Sequence, residues 1–461
     1  MTLDSDVVMT MTTDRLDPDQ TLQRRQASYT SQDGLYRIAE RSYSQQYAGL
    51  YFSRLSMLAP RVKRAAQHKW SQSAPNALFV DKVLDVEPNQ PSWVLGTLYK
   101  DMPLKPNILD EVAADYWVGV PPPREKYTSD KDKVVVEDYS GRLRLRLTAA
   151  MMSSCIWITG VIAAVLGTLT ADGEFEVVDV TFAGADAPAP IPVRPPDSRR
   201  NLMALVSGIS LGDAATSPTM LRMMIDFLTG ELGEIADQVT NADISRVIIA
   251  GNSIIRPKTS EEEPRGKKNA LDNAAVNAVF DAISTLDELL AELCDTVAVD
   301  LMPGKTDPTT SALPQQPMHA AVVRNASRCS TFSSCTNPHS FVIEGVSVLG
   351  TSGENLDDIY RFVESKERMA MTESFLSWGH IAPTCPDTLW CFPYKSEDPF
   401  VIQCRPHVFF IGNQPRFETK LVQGPSGQST RIVLLPWFAS TGTIALVDLD
   451  TLECFPVCFG V

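Results

Sequence analysis

Four short segments of this sequence combine glycine with side chains able to hold or orient a ligand. They are Ser207-Gly208-Ile209-Ser210, Gly251-Asn252-Ser253, Pro303-Gly304-Lys305-Thr306-Asp307 and Gly412-Asn413-Gln414-Pro415. Each follows an apolar run that reads as a strand, so each stands at a strand end. The chemistry open to them depends on their donors. Two divalent cations need several carboxylates and imidazoles to offset their charge and desolvation. These segments offer neutral amides, hydroxyls, the positive Lys305 and one carboxylate, Asp307. Of the five histidines, His380 in Gly379-His380-Ile381-Ala382-Pro383 is the one ligand candidate, with plain core packing as the competing reading. His68, His319, His339 and His407 show no spacing with carboxylates that makes a ligand set. The nine cysteines are scattered singly without C-x-x-C spacing, which argues against a zinc ribbon or an iron–sulfur motif. They read as reduced, buried thiols of a cytosolic or nuclear protein. The gap from Cys454 to Cys458 leaves a metal half-site open.

The elements that must position these residues fall into two textures. Residues 1–42 are polar and read as a disordered N-terminal arm, acidic at its start and unlike a secretory signal. Residues 43–70 are amphipathic and helical, with Leu50, Leu55 and Leu58 on one face. Short strands with tight turns follow at 93–98, 133–137, 142–147, 156–168 and 175–180, which predicts a small β-barrel within residues 43–185. The uncharged run 147–170 is long enough to span a bilayer, but its Ser, Thr and Gly content and flanking strands favour buried strands. Residues 186–200 are Pro-rich and read as a linker or surface strap. Beyond them strands and helices alternate over 201–461, the pattern of an α/β or layered α/β/α domain, with a mobile loop at 256–268. The formal net charge of -15 over 461 residues, with a pI near 4.9, argues against a broad grip on nucleic-acid phosphates and favours basic protein partners.

In order and spacing the four segments resemble the metal-binding segments of calcineurin-like phosphoesterases, which run D-x-H, G-D, G-N-H-D, a lone His and G-H-x-H. That family holds two divalent metals that clamp a phosphate and activate a water. Carried over residue by residue, Gly208 stands where the first Asp would be and Ser210 where its His would be. Asn252 replaces the bridging Asp. Lys305 and Thr306 replace the Asn ligand and the catalytic His, while Asn413 and Pro415 replace the last two histidines. Gly304 and Asp307 are kept, and His380 survives. The resemblance therefore implies a degenerate site with no catalytic residue, metal or cofactor.

A β-barrel followed by an inactivated phosphoesterase domain resembles the B subunits of replicative DNA polymerases. The runs 96–107, 248–254, 302–308, 313–319, 349–355 and 380–389 are similar to those of the polymerase delta small-subunit family. The likeness covers residues 43–461 and stops at the arm and at 256–268. It implies an OB-fold barrel packed on a phosphoesterase-like domain, in a nuclear, non-catalytic scaffold of DNA replication and repair. One face would receive the cysteine-rich C-terminal domain of the catalytic polymerase subunit. The OB side would bind the third subunit, with the sliding clamp reached indirectly, DNA contacted weakly or indirectly, and no membrane involved.

Candidate partner anchors are Tyr47, Tyr51, Trp93 and Trp117, residue types that interfaces favour, although core packing competes for each. Arg142, Arg144 and Arg146 alternate along one strand and so share a face, where they could meet phosphate, an acidic partner or solvent. Three other functions remain open from the sequence. These are a single-stranded-DNA-binding OB protein, the small subunit of polymerase alpha or epsilon, and a working metallophosphoesterase with a rearranged metal set.

Overall fold

The computed structural model describes residues 22–106, 124–193, 199–255, 268–424 and 427–460. The chain opens with β1 (Tyr29–Ser31) and helix α1 (Ala48–Ser73). α1 buries Leu50, Arg54, Leu58, Val62, Ala66 and Trp70. That spacing of four keeps the buried stripe along one side of the helix. Next come β2 (Leu78–Phe79), β3 (Pro91–Asp101), β4 (Lys133–Glu137), β5 (Arg142–Arg146), β6 (Ile162–Leu169) and β7 (Glu174–Phe182). They are ordered β2-β3-β4-β5-β7-β6, and β6 pairs back onto β3 to close a barrel. Closure pairs strand edges that would otherwise be open to other chains. In β5 the leucines are buried and the arginines exposed, as period-two patterning requires.

The uncharged run 147–170 corrects the expectation of continuous buried strands. Thr148 caps a short helix, α2 (Ala149–Ser154), by accepting a hydrogen bond from Met151 N at 3.3 Å. The barrel strand begins only at Ile162. No helix among the described residues is long and apolar enough to cross a membrane.

The second domain is built on two sheets. In the first, β8 (Leu202–Val206), β9 (Ile244–Ala250), β10 (Ala298–Met302) and β11 (Phe332–Ser334) run parallel, and β17 (Thr443–Asp448) and β18 (Cys454–Cys458) add antiparallel beyond β8. The second is ordered β1, β12 (His339–Ile343), β13 (Val346–Thr351), β14 (Val408–Gln414), β16 (Ser429–Pro436) and β15 (Glu418–Gln423). Met203, Leu205 and Ile248 of one sheet share a core with Val348, Phe410 and Val433 of the other. Helices α3 (Pro218–Thr229), α4 (Ile235–Ala242) and α5 (Lys268–Cys294) follow strands of the first sheet. The apolar sides of α3 and α5 pack on that sheet's outer face. α3 starts at the Ser217 cap with Pro218 in its first turn and stops at Gly230, whose φ of 91° suits a left-handed cap.

Helices α6 (Glu354–Phe362) and α7 (Arg368–Trp378) cover the second sheet, and their core runs without a break into the barrel interior. The layering is therefore α/β/β/α, which corrects the expected α/β/α. Strands buried on both faces read alike whether helix or sheet covers them.

The arm is corrected as well. Residues 1–21 lie outside the described residues, but 24–38 are folded onto the second domain. β1 pairs antiparallel with β12, and the Arg24 guanidinium donates to the carbonyls of Leu228, Asn241 and Ile244. Backbone pairing to a sheet edge needs no apolar side chains, so polar composition hid it. The Pro-rich stretch runs as a strap where it is described: Ala189 O accepts from His407 Nε2 at 2.9 Å. Residues 194–198 and the expected mobile loop, over 256–267, lie outside the described residues.

Candidate functional site

The ends of β8, β9, β10 and β14 converge, and their loops bond to one another. Gly208 N donates to Gly251 O at 3.0 Å, and Ser210 N to Asn252 O at 2.9 Å. The Asn252 side-chain oxygen accepts from Thr306 N at 3.2 Å and from the Thr306 hydroxyl at 3.3 Å. Asn413 N donates to Ser207 Oγ at 2.9 Å, while Asn413 Nδ2 reaches Ser352 O at 2.8 Å and Ala250 O at 3.2 Å. Gly208, Ser210, Asn252, Thr306 and Asn413 are thus gathered in one knot.

Ser210, Asn252 and Asn413 hold positive φ values of 52°, 54° and 57°, uncommon for residues with a Cβ and sustained by this web of bonds. Asp307 is spoken for: its Oδ1 accepts from Ser253 N and Ile254 N, and its Oδ2 from Gly304 N at 2.8 Å. Burial pushes its carboxyl up to about 7 against the pull of those N–H groups.

A Cβ at Gly208 would lie 2.8 Å from Asn413 Oδ1 and 3.0 Å from Trp437 Cδ1, in a backbone with φ of 64°. Trp437 and Asn413 therefore stand where a side chain at 208 would have to go. Pro415 is exposed and lines an open cleft of about 870 Å³ beside the knot, together with Arg361, Lys366, Arg368 and Trp437. Arg368 is bound to Asp357 and to Gln414 Oε1, the latter at 2.7 Å. Lys305 is exposed.

His380 does not join the knot. Its Nε2 meets Asp398 Oδ2 at 2.9 Å, and its Nδ1 accepts from Ala382 N at 3.1 Å, so both ring nitrogens are used. Arg54 of α1 donates to the same Asp398 oxygen at 2.7 Å, and all three side chains are buried. Burial and the neighbouring guanidinium lower the imidazole to about 4. His380 is a neutral member of a buried polar cluster between α1 and the second domain.

The sequence reading missed a second cluster. His339 Nδ1 lies 2.7 Å from Asp33 Oδ1, and its Nε2 lies 3.4 Å from Asp300 Oδ2. Local spacing pairs His339 with no carboxylate, and the structure supplies one from 306 positions away, Asp33. No local spacing could have signalled that pairing.

The candidate anchors separate. Trp93 is 5% exposed and packs against Trp70 and Phe79, so it is core and not interface. Tyr47 is half exposed and donates to Cys391 O at 2.9 Å. Tyr51 lines a groove of about 320 Å³ between α1 and the barrel, with Phe52, Tyr99 and Tyr139. Phe52 and Tyr139 are exposed. Trp117 lies outside the described residues. On β5, Arg144 pairs with Glu174 at 2.9 Å and Arg142 with Glu137 at 2.6 Å. Acids of the barrel itself thus occupy two of the three arginines that could have met phosphate.

Residues 46–180 match the family described as the DNA polymerase delta subunit OB-fold domain, and residues 203–419 match the family of the DNA polymerase alpha/epsilon B subunits. A barrel of this kind followed by this two-sheet domain defines the class of small, accessory subunits of DNA polymerases. Over 449 residues the chain is 36% identical to a DNA polymerase delta small subunit of Arabidopsis thaliana, covering 96% of this chain and 98% of that protein. It is 34% identical to DNA polymerase delta subunit 2 of Drosophila melanogaster over 440 residues, with 95% and 99% covered. It is also 34% identical to the DNA polymerase delta small subunit of Saccharomyces cerevisiae over 462 residues, with 90% and 89% covered. The chain belongs to the DNA polymerase delta small-subunit family, accessory subunits of a replicative polymerase.

Proposed function

We propose that this chain works as a non-catalytic scaffold in a nuclear polymerase delta complex, bridging the cysteine-rich C-terminal domain of the catalytic subunit and a third subunit. The carrying observation is the hydrogen-bonded knot. Where a phosphoesterase of similar layout needs carboxylates and imidazoles for two metals, the strand ends here are tied together by amides, hydroxyls and backbone. The one carboxylate there is consumed by three N–H groups. A phosphoesterase-like domain of this kind is inactive, because nothing offsets the charge of a metal pair.

Retention of the fold then serves its surfaces. The unbroken core from barrel to second domain makes the two a rigid unit, suited to broad interfaces. The aromatic groove of Tyr51, Phe52, Tyr99 and Tyr139 is the docking face for the third subunit on the OB side.

Affinity purification of the tagged chain tests this. The expected result is recovery of a polymerase catalytic subunit and a third subunit at near-equal amounts, stable to high salt. Recovery of no large polymerase subunit would refute the scaffold role. A diesterase activity that tracks two bound transition metals would refute the inactive site.

A further inference from the structure

Three metal-donor side chains meet in the interior between the two sheets. Asp33 follows β1, Cys335 lies between β11 and β12, and His339 begins β12. Their carboxylate oxygen, sulfur and ring nitrogen lie within 4.8 Å of one another. Their exposures are 2%, 2% and 0%. Among the described residues no other group of three or more His, Cys, Asp and Glu side chains meets this condition.

We propose that Asp33, Cys335 and His339 form a buried structural site for a single zinc ion. The donor set fits: zinc takes thiolate, imidazole and carboxylate in tetrahedral sites, whereas magnesium and calcium want oxygen alone. Ser340 N at 3.1 Å and Thr336 N at 3.4 Å hold the Asp33 carboxylate in place for this role. A metal-bound histidine ordinarily gives its other ring N–H to a carboxylate. Asp300 stands at Nε2 for this, itself fixed by Arg246 at 2.5 Å.

The site lies in a dry interior, where an unpaired charge is costly, so a cation there needs its donors gathered around it, as Asp33, Cys335 and His339 are. The ion would pin the segment after β1 to the sheet.

The test uses the full chain, purified without chelator. Metal analysis is expected to find about one zinc per chain. The cobalt-substituted protein should show a near-ultraviolet thiolate-to-metal band that Cys335→Ser removes. That variant should bind zinc at least about tenfold more weakly while keeping the far-ultraviolet circular dichroism of the parent, since two ligand residues hold the metal less well than three. A parent chain that binds no zinc at micromolar free metal overturns the proposal, and so does a Cys335→Ser chain that keeps its zinc. Two metals that both survive Cys335→Ser would count against this site and, separately, against the inactive reading of the strand ends.

Discussion

Arg54→Met is the perturbation that interrogates the seam between barrel and second domain most directly. Arg54 is fully buried on α1 and bonds Asp398 at 2.7 Å, Pro383 O at 2.7 Å, Cys385 O at 2.9 Å and Gly160 O at 3.2 Å. Removing one partner of a buried pair typically costs about 3–5 kcal/mol, because the other charge is left in low dielectric. At pH 8 the neutral His380 gives Asp398 only a hydrogen bond, so the whole cost should appear. Acidification changes the comparison. In the parent, His380 titrates near 4 when folded and near 6.5 when unfolded. Stability is thus intact above about pH 6.5 and falls as the pH drops from there towards 4, by about 1 kcal/mol at pH 5.5. Without the guanidinium, burial still disfavours the imidazolium, but Asp398 favours it with no opposing cation. His380 can then take the proton and replace Arg54 as counter-ion. The gap between parent and variant, read from urea unfolding by tryptophan fluorescence, should narrow by about 1 kcal/mol between pH 8 and pH 5.5. A cost below about 1 kcal/mol at pH 8, or a gap that widens on acidification, would refute the reasoning.

Gly208→Asp puts a carboxylate where the resemblance to phosphoesterases would place the first Asp, but should neither bind metal nor hydrolyse diesters. Its Cβ meets Asn413 and Trp437 at positive φ, so urea denaturation should instead show a loss of about 1–3 kcal/mol. Trp93→Ala should destabilise the chain by about 3–5 kcal/mol in the same assay. Phe52→Ala, in the exposed groove, should leave stability within about 0.5 kcal/mol and weaken co-purification of the third subunit; equal destabilisation by both variants would contradict the assignment of core and surface. Arg144→Glu should leave single-stranded DNA binding at low salt unchanged and weak in a fluorescence anisotropy titration, since Arg144 already faces Glu174; a loss of strong binding would reinstate the DNA reading.

Local pattern determined much of this protein. Period-two alternation in Arg-Leu-Arg-Leu-Arg placed β5 and its exposed face, and the Ser217-Pro218 pair marked the start of α3. Apolar runs ending in glycine located the four loops that converge, because burial and turn geometry act within a few residues. Family membership was legible for the same reason, in contiguous runs. What depends on contacts between distant parts of the chain was decided only by tertiary structure. The second sheet that makes the layering α/β/β/α, and the pairing of polar residues 29–31 with β12, needed the whole chain in place. So did the burial of Trp93, the capture of His380 by Asp398, which Arg54 also binds, and the meeting of Asp33, Cys335 and His339. A carboxylate and an imidazole 306 residues apart share no local signal, and folding alone brings them to 2.7 Å.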